Sequence, residues 1–163
     1  MLISFSVQNF GAFKEMQTLS FEAANSQHLE EYYIIQPQKG LRLLKLMLLY
    51  GANASGKSTL LKAIDFLRNV VINPLPQKSD KIAYYPFLFD TETPQQDSLF
   101  IVECIPQKIK YRYELRLNQQ AIIEEKLYVY NPKKAVLFHR TTNTVQQLAQ
   151  ISFGEKAKIT KQT

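Results

Sequence analysis

The chain has 163 residues, enough for one domain with a buried core, and its 45% hydrophobic content excludes an intrinsically disordered polypeptide. A single cysteine, Cys104, excludes a disulfide framework and a cysteine-based metal centre, which points to a reducing, cytoplasmic setting. The formal charge of +6 and the pI near 9.3 permit an anionic partner beyond any small ligand without placing one.

The first ten residues lack a basic leader and a cleavage region. Residues 2–7 set Leu2, Ser4 and Ser6 against Ile3, Phe5 and Val7, the period-two pattern of a half-buried strand. Asn9-Phe10-Gly11-Ala12-Phe13-Lys14 interrupts it and residues 18–21 resume an extended pattern, so an antiparallel pair is expected. Residues 24–40 are mostly polar and are expected to form a surface loop, despite the apolar residues between Tyr32 and Ile35; His28 has no second ligand nearby and reads as a surface histidine. Residues 43–50 are nearly continuous Leu and Met, as in a strand covered on both faces, while Arg42 and Lys45 and the short length exclude a membrane span.

That run leads into GANASGKST, in which Gly51, Gly56, Lys57 and Ser58 stand at the spacing G-x-x-x-x-G-K-S between an expected strand and an expected helix. Each residue type has a chemical reason. Glycines permit backbone conformations and a close approach that a Cβ obstructs, and inward-pointing amides of residues 53–58, from Asn53, Ala54 and Ser55 onward, cradle phosphate oxygens at a helix N-terminus. Lys57 reaches the β- and γ-phosphates, Ser58 offers a hydroxyl to Mg²⁺, and Thr59 reaches the α-phosphate. ATP and Mg²⁺ are the expected ligands. Leu60, Ile64, Leu67 and Val71 then recur at helical spacing, with Lys62, Asp65, Arg68 and Asn69 on the other side, up to a proline stop at Pro74.

The second half changes period. Residues 99–105 are strand-like, and Ile109, Tyr111, Tyr113, Leu115 and Leu117 alternate with Lys108, Lys110, Arg112, Glu114 and Arg116. Turns at Asn118-Gln119-Gln120 and Asn131-Pro132-Lys133-Lys134 separate strands over 122–130 and 135–140, with a last one over 145–153 before a basic tail. The stripe of Lys108, Lys110, Arg112 and Arg116 reads first as a solvated face with cross-strand partners at Glu124 or Glu125, with a nucleic-acid backbone as the alternative. The whole predicts a mixed α/β architecture: a P-loop core over residues 1–90, an appended antiparallel β-meander over 98–153 and a basic tail over 154–163.

Hydrolysis needs an acidic Mg²⁺ ligand and a group that orients water. Glu103 and Asp90 end the two nearest imitations of an acidic strand, and Ser152-Phe153-Gly154 imitates an S-x-G signature, but each reads better as ordinary structure. His139 lies in a strand with no nucleophile pattern around it.

Asn9, Phe10 and Phe13 after a first strand, the stretch LLYGANASGKSTLLKAIDFL with its Asn53, then PFLFD, YRYEL and EEKLYVY together resemble the N-terminal part of ABC-like AAA-family ATPases. These are the stand-alone relatives of the SMC, RecF and OLD proteins. The resemblance covers nearly the whole chain and implies an ABC-type core, incomplete at the C-terminus, with Phe13 near the adenine. It also implies that the signature motif, acidic metal strand, catalytic Glu and switch His belong to a second lobe or a second ATPase head. The process implied is a DNA transaction or phage defence. Gly11 stands where many relatives carry Arg. Two other readings stay open: a non-catalytic nucleotide sensor or nucleic-acid-binding module, and a small P-loop kinase or nucleotidase, which predicts the P-loop at the first strand and further βα units.

Overall fold

A computed structural model describes residues 1–26, 28–73 and 81–157; the proline stop expected at Pro74 and most of the basic tail lie outside them. Period-two alternation produces the dominant element, a sheet of β1 (Leu2–Gln8), β2 (Gln17–Ser20), β5 (Ser98–Cys104), β6 (Lys110–Leu117), β7 (Ile122–Tyr130), β8 (Lys134–Asn143) and β9 (Leu148–Phe153). Its spatial order is β2-β1-β5-β6-β7-β8-β9, and every adjacent pair is antiparallel. The strands after residue 98 are a meander, as their spacing predicts. The meander is continuous with the N-terminal strand pair, because β5 lies directly against β1.

One face of this sheet is apolar and carries the one long helix among the described residues, α2 (Lys57–Ile72). Ala63 and Leu67 are buried against Phe5, Val7, Phe100, Leu115 and Leu117, with Leu60, Ile64, Phe66 and Val70 packed at the margins. Three rings fill the centre: Phe10, Phe66 and Phe100 have pairwise centroid separations of 5.3, 5.5 and 5.4 Å, within the range of favourable aromatic contact. The expected stripe needs one correction. Val71 is exposed and Val70 takes its place, because Leu67 and Ala63 define a face that passes through position 70 rather than 71.

Two further expectations fail in the segment before the helix. The polar stretch 24–40 is no plain loop: it contains the helical turn α1 (Glu30–Tyr33) and β3 (Ile34–Gln38), which pairs with β4 (Leu41–Leu44) in a separate two-stranded sheet. Ile34 and Ile35 stand opposite Leu44 and Leu43, and Gly40, at φ +83°, turns the chain between them. Leu43 is buried with Ile3 and Ile105 in a second small cluster.

The run 43–50 is likewise not a strand covered on both faces. Its ladder stops at Leu44, and residues 46–50 pair with nothing among the described residues. Leu46, Leu48 and Tyr50 are 64, 62 and 84% exposed. Apolar composition reports that a segment suits burial; it does not supply the neighbours that bury it.

Candidate functional site

The P-loop closes between the end of the apolar run and the start of α2. Gly56 is the N-cap of α2 with φ +91°, and the first intrahelical bond there runs from Leu60 N to Gly56 O at 3.0 Å. The amides of Lys57, Ser58 and Thr59 precede that bond, so they are the donors an α-helix leaves without an internal acceptor. No side chain caps them and no acidic residue stands in the first turn. The helix's own first turn therefore leaves its positive end uncompensated.

Lys57 folds back over the loop. Its Nζ donates to Gly51 O at 2.8 Å, Ala52 O at 2.6 Å and Ser55 Oγ at 3.3 Å, which holds the ammonium above the cradle. Asn53, Ala54, Ser55 and Ser58 are exposed around it, and Ala54 adopts φ +61°. A Cβ at Gly51 would lie 2.8 Å from Ser55 Oγ, so the loop has no room for a side chain there. The donor set is backbone amides, an ammonium and hydroxyls, which fits a phosphate chain with a metal held at Ser58. Among the described residues no cluster of three or more His, Cys, Asp or Glu could hold a metal by itself.

The N-terminal hairpin forms the next wall. Phe10 and Phe13 exchange backbone hydrogen bonds of 2.9 Å across Gly11 and Ala12, and this tight turn places Phe13 against the loop. A Cβ on Gly56 would come within 2.8 Å of Phe13 Cε1. Phe13 thus touches the phosphate loop at Gly56. Gly11, at φ +57°, lies against Thr59, and a Cβ there would meet Thr59 Cγ2 at 2.7 Å. Its spacing gave no signal of this contact, since only the folded hairpin brings the two together. Gly11→Arg is expected to destabilise the protein by about 1–3 kcal/mol through left-handed strain and the clash. Urea denaturation measures it, and an unchanged midpoint would mean that the hairpin shifts freely.

Asn9 anchors this wall. Its buried amide donates to Thr93 O at 2.7 Å and Gln96 O at 2.9 Å and accepts from Phe87 N at 3.0 Å, tying the end of β1 to the PFLFD segment. Lys14 pairs with Asp90 at 2.5 Å. That hydrogen bond, with those from the Glu92 and Thr93 amides, holds the Asp90 carboxyl down at about 2. Asp90 is thereby committed to its turn.

Glu103 is committed as well. It sits on the sheet face opposite α2, where it meets Lys110 at 3.0 Å and Arg112 at 3.2 Å; Arg112 also meets Glu114 at 2.5 Å. Burial alone would raise the Glu103 carboxyl, but the hydrogen bonds from Lys110 and Arg112 outweigh it and hold the group below its ordinary range. The acidic partners of Lys110 and Arg112 are therefore Glu103 and Glu114, while Arg116 stands opposite Glu124 in the β6–β7 register. Glu124 instead pairs with Lys126 at 2.6 Å and His139 at 3.0 Å, while Glu125 accepts from the Tyr113 hydroxyl at 2.8 Å on the inner face. Burial, with that bond, pushes the Tyr113 hydroxyl far above its ordinary range. Ser152 only donates to His139 O at 3.3 Å.

From Gly11 and Thr59 a groove of about 1510 Å³ runs between α2 and the inner face of the sheet, past Asp65 to Arg140 and Thr142. At its far end the Arg140 Nε and Thr142 Oγ1 atoms are buried without a hydrogen-bond partner.

A phosphate-binding loop at the head of a helix, packed on a mixed α/β framework, defines an AAA-type P-loop ATPase-like domain. Residues 46–155, more than half of the chain, match the family described as "AAA domain, putative AbiEii toxin, Type IV TA system", and the chain belongs to that family. No curated protein matches the chain. No helix among the described residues is long and apolar enough to cross a membrane.

Proposed function

We propose that this chain is the ATP- and Mg²⁺-binding lobe of an ABC-like ATPase, and that turnover depends on residues supplied by a complementing lobe or a second ATPase head. In this reading Gly51, Asn53, Ala54, Ser55, Gly56, Lys57 and Thr59 hold the phosphates, Ser58 holds the metal, and Phe13 borders the nucleotide beside the loop. Bound Mg²⁺ would neutralise phosphate charge; the chain itself contributes the amides, the ammonium and the excluded space around them.

One observation carries the proposal: the phosphate loop has open donors, yet the run that delivers it, residues 46–50, exposes apolar side chains and a backbone that pairs with no strand among the described residues. Such a segment suits addition of further strands along its edges, which is what a complementing lobe would provide. Leu61 and Ile72 of α2 are exposed too, at 61 and 62%. The family description mentions toxin–antitoxin systems, in keeping with a role in phage defence. Antiparallel strands, not βα units, follow α2, which disfavours a small P-loop kinase. For nucleic acid, the ion pairs of Lys110 and Arg112 leave less free charge than the stripe suggests.

The chain alone is expected to bind Mg-ATP and to turn it over at no more than the background rate, since Asp90 and Glu103 are both engaged elsewhere. A steady-state phosphate-release assay beside calorimetric titration tests both halves. Turnover that vanishes in Lys57→Ala would mean that the chain holds a complete catalytic set; absence of ATP binding would sink the proposal altogether.

A further inference from the structure

The sheet has two edges, and they are built differently. At one end β2 has only four residues, a common means of keeping an edge from recruiting another strand. At the other end β9 has six, Leu148-Ala149-Gln150-Ile151-Ser152-Phe153, all exposed. It contains no charge, no proline and no glycine. Its ladder with β8 runs through six consecutive pairs with no bulge, whereas the β1–β5, β6–β7 and β7–β8 ladders each contain a register shift. Every usual device for blunting an edge is missing from β9, and its outer row of backbone donors and acceptors pairs with no strand among the described residues.

We propose that β9 pairs antiparallel with β9 of a second copy of this chain, joining the two sheets into one. The strand is self-complementary in one register. Antiparallel partners must share a face, so a two-fold axis through Ile151 sets Ile151 opposite its own copy, Ala149 opposite Phe153, and Gln150 opposite Ser152. The largest side chain of the strand thus meets the smallest. Charge does not oppose this register, since β9 itself carries no charged residue that the axis could set against its own copy. An axis through Gln150 would set Phe153 against Gln147 instead. Phe153 stands beside Phe138 on β8, so the seam also draws one aromatic pair of each copy towards the axis. The exposed Ile151 and Phe153, at 52 and 56%, are the side chains this covers.

A single-strand seam buries less than the roughly 1,200 Å² of a tight complex, so the dimer forms by mass action at micromolar concentrations. It needs no nucleotide, which separates it from any pairing of ATPase heads through their P-loops and makes it independent of the function proposed above. Sedimentation velocity of the full 163-residue chain without nucleotide, over about 1 to 100 µM, should show mass rising from 18.9 kDa towards the dimer. Ile151→Lys places two ammonium groups across the axis and should lower dimer affinity at least about tenfold, while Val145→Lys, outside the strand, and Lys57→Ala should not. In a Cys104→Ser background, Ile151→Cys should oxidise to a disulfide-linked dimer and Gln150→Cys should cross-link far less, because only position 151 meets itself. A monomer at every concentration, a dimer that requires ATP, or equal dimerisation by Ile151→Lys would each overturn the proposal. Preferential cross-linking at 150 would overturn the register and with it the argument for the partner.

Discussion

Lys57→Ala is expected to weaken Mg-ATP binding by tenfold to more than a hundredfold. The ammonium already sits above the loop, held by Gly51 O, Ala52 O and Ser55 Oγ. On binding it would exchange neutral carbonyl acceptors for charged phosphate oxygens, and a hydrogen bond to a charged group contributes about 1.5–3 kcal/mol net. By the relation of free energy to affinity, that is roughly one to two decades in Kd. Pre-positioning adds to the effect, because little side-chain freedom is left to lose. Calorimetric titration of parent and variant measures the difference, and a urea melt confirms that the variant remains folded. Equal affinities would remove Lys57 from the phosphate site and leave the helix amides as its main donors.

Phe100→Ala should cost about 3–5 kcal/mol of stability, the usual range for a fully buried aromatic replaced by alanine. Phe100 is 0% exposed and holds together three parts of the molecule: Phe10 from the turn after β1, Phe66 from α2, and the sheet itself. Its loss opens a cavity where the phosphate-loop helix is fastened to the sheet, and neighbouring side chains cannot fill it without moving α2. Domains of this size have a total stability of about 5–15 kcal/mol, so a large share of the margin is removed. Thermal unfolding should shift down by about 10 °C or more. A loss below about 1 kcal/mol in the urea midpoint would mean that α2 is held chiefly by contacts other than this ring cluster. The same variant should bind ATP more weakly at a temperature where it is partly unfolded, and normally where it is not.

Residue types and their spacing determined a good deal. Alternation in residues 2–7 and in the second half placed β1 and five meander strands within a few residues of where they lie, because a strand exposes opposite faces at successive positions whatever its neighbours are. The glycines, Lys57 and Ser58 placed the loop, since phosphate chemistry needs those groups at that spacing. Leu60, Ile64 and Leu67 placed the buried side of α2.

Tertiary structure alone decided the rest. Which strands become neighbours depends on contacts between residues far apart in the chain, so β5 against β1, with Phe5 opposite Val102, could not be read from local period. The same holds for Ile34 and Ile35, which look like an apolar accident in a polar stretch until Leu43 and Leu44 come to face them. Asn9 became an anchor only when residues 87–96 folded back upon it, and Gly11 a contact of Thr59 only when the hairpin closed. Glu103, Lys110 and Arg112 show why charge is the least legible signal of all: a stripe of cations counts its own strand, whereas the carboxylate that pairs with two of them stands on the next one. Residues 46–50 mark the opposite limit, where the chain states a demand for burial and only the surrounding structure determines whether it is met.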